Sequence, residues 1–156
     1  MSKKHILAVL ALVLALLLCG CSGKPDLTPV WEKTFSSSGV TATLANCTVT
    51  ETTTDFWPED GGTAQTLPLI TAADGIPYLC LSGVEEEDVT VRFAAPHETG
   101  YRLYDLMDPF PKTDYQIQEL SDGTLQLRMD TVYNFWITVT TDQGSDSFVL
   151  ICSRKV

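Results

Sequence analysis

From Tyr133 to Thr140 the chain reads YNFWITVT, and apolar and polar positions change places at every step. Tyr133, Phe135, Ile137 and Val139 fall on one side, and Asn134, Trp136, Thr138 and Thr140 on the other. A period of two, rich in β-branched and aromatic residues, marks a half-buried strand. Val89 to Phe93 and Leu125 to Met129 repeat the pattern, and 40–50, 64–70, 76–82, 101–106, 115–120 and 146–152 are further strand candidates. Between them lie turn residues that fix φ or let it go positive: Pro58-Glu59-Asp60-Gly61-Gly62, Asp74-Gly75, Asp108-Pro109, Ser121-Asp122-Gly123 and Asp142-Gln143-Gly144. No stretch of the body holds a helical period for three turns. Short strands at a spacing of roughly 8–12 residues predict an all-β domain, a sandwich in preference to a barrel, of about seven to nine strands.

The segment DTVYNFWITVTTDQGSDSFVLICSRK resembles the closing hairpin of immunoglobulin-like and fibronectin type III-like domains. In those domains a tyrosine near the start of the penultimate strand bonds back across a corner, and Tyr133 matches that place. Phe135 stands where antibody-type domains carry the second cysteine of their inter-sheet disulfide, so that bridge is not implied. The resemblance implies a single immunoglobulin-like β-sandwich over residues 39–156.

The chain begins MSKKHILAVLALVLALLLCGCSGKPD. Lys3 and Lys4 precede 13 apolar residues, Ile6 to Leu18. At ~1.5 Å per residue that helix reaches about 20 Å, short of a ~30 Å hydrocarbon core, so it reads as a signal-peptide core and not a membrane span. Leu18-Cys19-Gly20-Cys21 resembles the lipobox of bacterial lipoproteins. The resemblance implies diacylglycerol on the Cys21 thiol, cleavage after Gly20 by signal peptidase II, and attachment to a membrane without spanning it. The expected place is the bacterial cell membrane or, in a two-membrane cell, where Ser22 replaces the aspartate of inner-membrane retention, the outer membrane, facing outside the cytoplasm. Two acyl chains hold stably where one binds marginally. The expected division is a signal peptide over 1–20, a lipidated tether over 21–38 and the sandwich over 39–156. Two prolines and four serines with little periodicity suggest the tether.

Without Lys3 and Lys4, 8 of the 10 Lys+Arg face all 20 Asp+Glu, a formal charge of 8 − 20 = −12. Nucleic acids and anionic lipids reward clustered Lys and Arg, so neither is expected as a partner. The one dense acidic run, Glu85-Glu86-Glu87-Asp88, reads as a solvated turn, half of a calcium site being the alternative. Cys47, Cys80 and Cys152 remain beside Cys21; all three as buried thiols is the expectation, and one bridge from Cys47 to either of the others is the alternative. With His97 the only histidine after the leader and no CxxC pair, no metal site and no cofactor is expected.

No G-x-S-x-G, HExxH or Gly-rich phosphate loop occurs, and no carboxylate pair is selected by spacing. A non-catalytic role follows. Pro96-His97-Glu98-Thr99-Gly100-Tyr101 is similar to the NPTTGY-type loop of chagasin-like cysteine-protease inhibitors, but reads first as a strand-entry turn. Phe56 and Trp57, in the acid-rich stretch ETTTDFWPEDGG, and Phe110, between two prolines, are the candidate ligand-binding residues, as aromatics on loops of a rigid scaffold. The expected function is a surface lipoprotein bearing a binding or adhesion module for a protein or glycan. The alternatives are an envelope-complex component or an inhibitor of secreted hydrolases.

Overall fold

The computed structural model describes residues 24–59, 61–103, 115–130 and 132–153. Among them are eleven strands: β1 (Pro29–Thr34), β2 (Thr41–Ala45), β3 (Thr48–Trp57), β4 (Gln65–Ala73), β5 (Tyr78–Ser82), β6 (Val89–His97), β7 (Gly100–Leu103), β8 (Tyr115–Glu119), β9 (Leu125–Met129), β10 (Asn134–Thr141) and β11 (Gly144–Cys152). Five form an antiparallel sheet in the order β1-β2-β5-β9-β8. The other six close into a barrel, β10-β11-β4-β3-β7-β6, with parallel pairs at β11–β4 and β3–β7. The all-β expectation holds. A single sheet pair of seven to nine strands does not describe the chain, because one of its two sheets closes on itself.

The reason for closure lies in β11. Phe148-Val149-Leu150-Ile151-Cys152 is apolar at every position, so both faces of the strand need cover. Phe148, Leu150 and Cys152 join Phe135, Ile137, Val139, Ile70 and Val91 in a core shared with Ala42, Leu44, Leu79, Leu81, Leu125 and Leu127 of the five-stranded sheet. Val149 points the other way, into a second core inside the barrel with Phe56, Ala94 and Leu103, against which Leu67, Leu69, Trp136 and Ile151 pack. Trp136, opposite Phe135 on β10, is therefore an interior residue of the barrel. Tyr133 does not share the inward face of Phe135. It precedes β10, is 42% exposed, and meets Phe93 and Phe135 edge-on.

The folded part also begins earlier than a tether to residue 38 would allow. Pro29–Thr34 is β1, and Phe35, 4% exposed, stacks on Phe148 with ring centroids 5.2 Å apart. Ser36 to Gly39 is the turn of the β1–β2 hairpin, closed by Gly39 N to Phe35 O and Phe35 N to Val40 O. Ser38 ties that turn to the barrel: its N–H donates to Asp146 Oδ2 at 2.6 Å, and its carbonyl accepts from Thr141 Oγ1 at 2.6 Å. The run of serines is a clip between two hairpins. The candidate strand 40–50 is likewise two strands, broken where Asn46 takes φ +61° and the chain passes from the open sheet to the barrel.

A second link joins β1 to β3. Trp31 Nε1 donates to Glu51 Oε2 at 2.9 Å, and Lys33 Nζ pairs with Glu51 Oε1. Lys33, then Trp31, holds the Glu51 carboxyl below the usual carboxylate range. A depressed folded pKa contributes stability that is complete above the ordinary carboxylate range and fades as pH falls through the folded value. Both side chains are about one-third exposed, so solvent screens the pair. Glu51→Gln is expected to lower the melting temperature by about 2–4 °C at neutral pH and to leave it unchanged in acid, a difference that parallel thermal melts would show.

Candidate binding site

The outward face of the five-stranded sheet is built by alternation. On β5, Leu79 and Leu81 are fully buried, which turns Tyr78 and Cys80 outward; on β9, Leu125, Leu127 and Met129 do the same for Gln126 and Arg128. On β8, Ile117 packs against the core, leaving Gln116 and Gln118 on the outer side. Register then aligns them in two rows. Tyr78, Arg128 and Gln116 lie side by side across three strands, and Cys80, Gln126 and Gln118 form the next row.

These side chains hold one another. Gln118 Nε2 donates to Gln126 Oε1 at 2.8 Å, and Gln126 Nε2 reaches Cys80 Sγ at 3.9 Å, a long contact to a weak acceptor. Gln126 is 7% exposed, an uncommon depth for an amide on an outer sheet face. The Arg128 guanidinium sits 6.0 Å from the centre of the Tyr78 ring, and its Nε lies 2.8 Å from Asp130 Oδ1, although the Nε–H is not aimed at that oxygen. Pro25 and Leu27, just ahead of β1, wall the remaining side. The result is a groove of about 340 Å³ lined by Tyr78, Gln116, Gln118, Gln126 and Arg128. That lies at the small end of ligand sites, which run from about 300 to 1,000 Å³.

The aromatic pair expected on a loop is instead the end of β3. Phe56 is 5% exposed and stacks on Trp136 inside the barrel, centroids 5.4 Å apart and planes 15° from parallel. Threonines are strong strand formers, and Glu51 to Asp55 forms a ladder with β4 in spite of its polarity. Trp57 is half-buried at the barrel end. Its ring tilts against His97 at 5.3 Å, and its Nε1 donates to Thr99 Oγ1 at 3.0 Å in the two-residue β6–β7 turn. So β3 brings Trp57, but not the Phe56 ring, to the surface. Phe110 and Cys21 lie outside the described residues. The acidic run is an exposed 3-10 turn at Glu86–Asp88, and among the described residues no three His, Cys, Asp or Glu side chains gather as metal ligands.

Cys47, Cys80 and Cys152 are free thiols in different settings. Cys152 is 3% exposed; burial, with Cys47 adding to it, pushes its pKa up to about 12. Cys80, expected in an apolar setting, is half-buried on the polar outer face. A maleimide at neutral pH should therefore modify Cys80 before Cys152, and Cys152 only on unfolding, since the thiolate is the nucleophile. Peptide mapping by mass spectrometry checks this, and modification of Cys152 in the folded protein would contradict it.

None of the groove residues was a sequence candidate, although YQIQE and LQLRM both alternate apolar residues with amides or arginine. Amphipathic alternation shows which residues leave the core, but not that β8, β9 and β5 lie together. No family model, curated protein or solved structure matches the chain.

Proposed function

We propose that this chain is a lipid-anchored, non-catalytic binding module of the cell envelope, held to its membrane by acylated Cys21 and taking its partner in the Tyr78–Arg128 groove. The observation that carries this reading is how close the fold lies to the lipobox. With β1 starting at Pro29, only the eight residues Cys21 to Thr28 separate anchor from sheet. At up to ~3.6 Å per residue they span less than about 30 Å. Pro25, four residues after Cys21, already lines the groove, which puts it within about 14 Å of chain from the lipid. A site so placed favours a partner in the membrane-proximal layer over one on a distant surface. It thereby favours an envelope component over an adhesin.

The non-catalytic part of the reading is supported by the lack of a recognisable catalytic motif, with His97 the only histidine after the leader. Kinship with immunoglobulin-like sandwiches belongs to the same proposal and is supported by the β10–β11 hairpin packed across a core from a second sheet.

Cys21→Ala tests the anchor. The variant is expected to leave the membrane fraction and appear in the soluble or secreted fraction, and labelled fatty acid should enter the parent alone. Equal labelling of both would refute it.

A further inference from the structure

We infer that the groove on the five-stranded sheet takes a neutral oligosaccharide. This deepens the binding-module reading above and rests on it. A sugar hydroxyl both donates and accepts, and so does each carboxamide of Gln116, Gln118 and Gln126, whereas a carboxylate or ammonium does only one. The Gln118 amide is held by buried Gln126, so little rotamer freedom remains to be lost when a ligand arrives. Tyr78 supplies an apolar wall with a polar tip, the form that suits the apolar faces and hydroxyl rim of a pyranose.

Charge narrows the class. Arg128, the one cation among the described groove residues, already faces Asp130, so the two charges offset each other. The chain around it carries a formal −10, which repels uronic acids and phosphorylated sugars. Size narrows it further. The three strands of one row, about 4.8 Å apart, span roughly 10 Å, the length of two sugar rings. An added peptide strand would need free backbone groups, which β8 offers at the sheet edge but the groove floor does not, since β5 and β9 have ladder partners on both sides. What remains for a ligand at the groove floor is side-chain chemistry, and that chemistry is amide, phenol and guanidinium.

The test uses the full-length protein extracted in a polyoxyethylene detergent, which has no sugar headgroup. Cellotetraose, maltotetraose, tetra-N-acetylchitotetraose and, as the charged control, tetragalacturonate are titrated by calorimetry. At least one neutral tetrasaccharide should bind and the uronate should not. Gln118→Ala is expected to weaken binding about tenfold, the loss of one or two good hydrogen bonds, while its melting temperature falls by only a few degrees, since Gln118 is exposed but buried Gln126 Oε1 loses its donation. Tyr78→Phe should stay within about threefold of the parent, and Tyr78→Leu should lose about tenfold. Binding that Gln118→Ala and Tyr78→Leu leave unchanged overturns the groove as the site, and preferential uronate binding overturns the neutral class. If no sugar binds, yet an envelope protein is captured by the parent and not by Gln118→Ala, the ligand class is wrong and the binding module stands. If neither sugar nor protein binds, both readings fail.

Discussion

Phe135→Ala should unfold the domain or leave it barely stable at room temperature. The side chain is fully buried on β10, at the centre of the core between the open sheet and the barrel. Truncating a buried phenylalanine costs about 3–5 kcal/mol, against a total of roughly 5–15 for a domain. Phe56→Ala should cost a comparable amount through the other core. It removes the ring stacked on Trp136 and leaves a cavity inside the barrel, whose small apolar cluster has few residues to close over it. This reverses what a loop position would predict, a melting temperature within a few degrees of the parent. Trp57→Ala, half-buried beside His97 and Thr99, should cost nearer 1 kcal/mol. Chemical denaturation of the three variants settles the order. A double-mutant cycle on Phe56 and Trp136 should return a coupling of about 0.5–1.5 kcal/mol. A parent-like midpoint for Phe56→Ala would mean that the second core contributes little.

Gly100→Ala should be nearly as damaging, for a backbone reason. Gly100 opens β7 opposite Asp55 of β3, the parallel pair that closes the barrel. Its φ is +146°, where L side chains are rarely found, and a Cβ there would stand 2.1 Å from the Asp55 carbonyl oxygen. Backbone strain of about 1–3 kcal/mol and overpacking of about 1–3 combine to an expected loss of about 2–6 kcal/mol. The only structural escape is for β7 to leave β3, which opens the barrel and wets the Phe56–Trp136 stack. Near-ultraviolet circular dichroism should register that change while the far-ultraviolet strand signal persists. Alanine tolerated at 100 with an unchanged spectrum would show that β7 does not need to lie so close.

The positions of the strands could be read from the chain because their causes are local. Alternation along Asn134–Thr141 and Leu125–Met129, and turn residues such as Asp122-Gly123, act within a few residues of themselves. The same locality explains the errors. Polar Glu51–Asp55 has no inner face to display, so β3 became a loop. Val30-Trp31-Glu32-Lys33-Thr34 has no alternation deeper than half-burial, so β1 became a tether. What an apolar residue faces is a different matter, decided by which strands become neighbours. Trp136, Val149 and Ile151 stand on the side of their strands that alternation assigns to solvent. They find cover only because β3 and β7 pair in parallel and bring Phe56 and Leu103 round to meet them. The groove arises in the same way. Tyr78, Gln118 and Arg128 are scattered over some fifty residues of chain, and only the register of β5, β9 and β8 sets them in adjacent rows of one groove. Period and turn chemistry belong to the sequence; adjacency, and with it both the second core and the site, depends on pairs such as β3–β7 and β5–β9, whose strands lie too far apart in the chain for any local pattern to record.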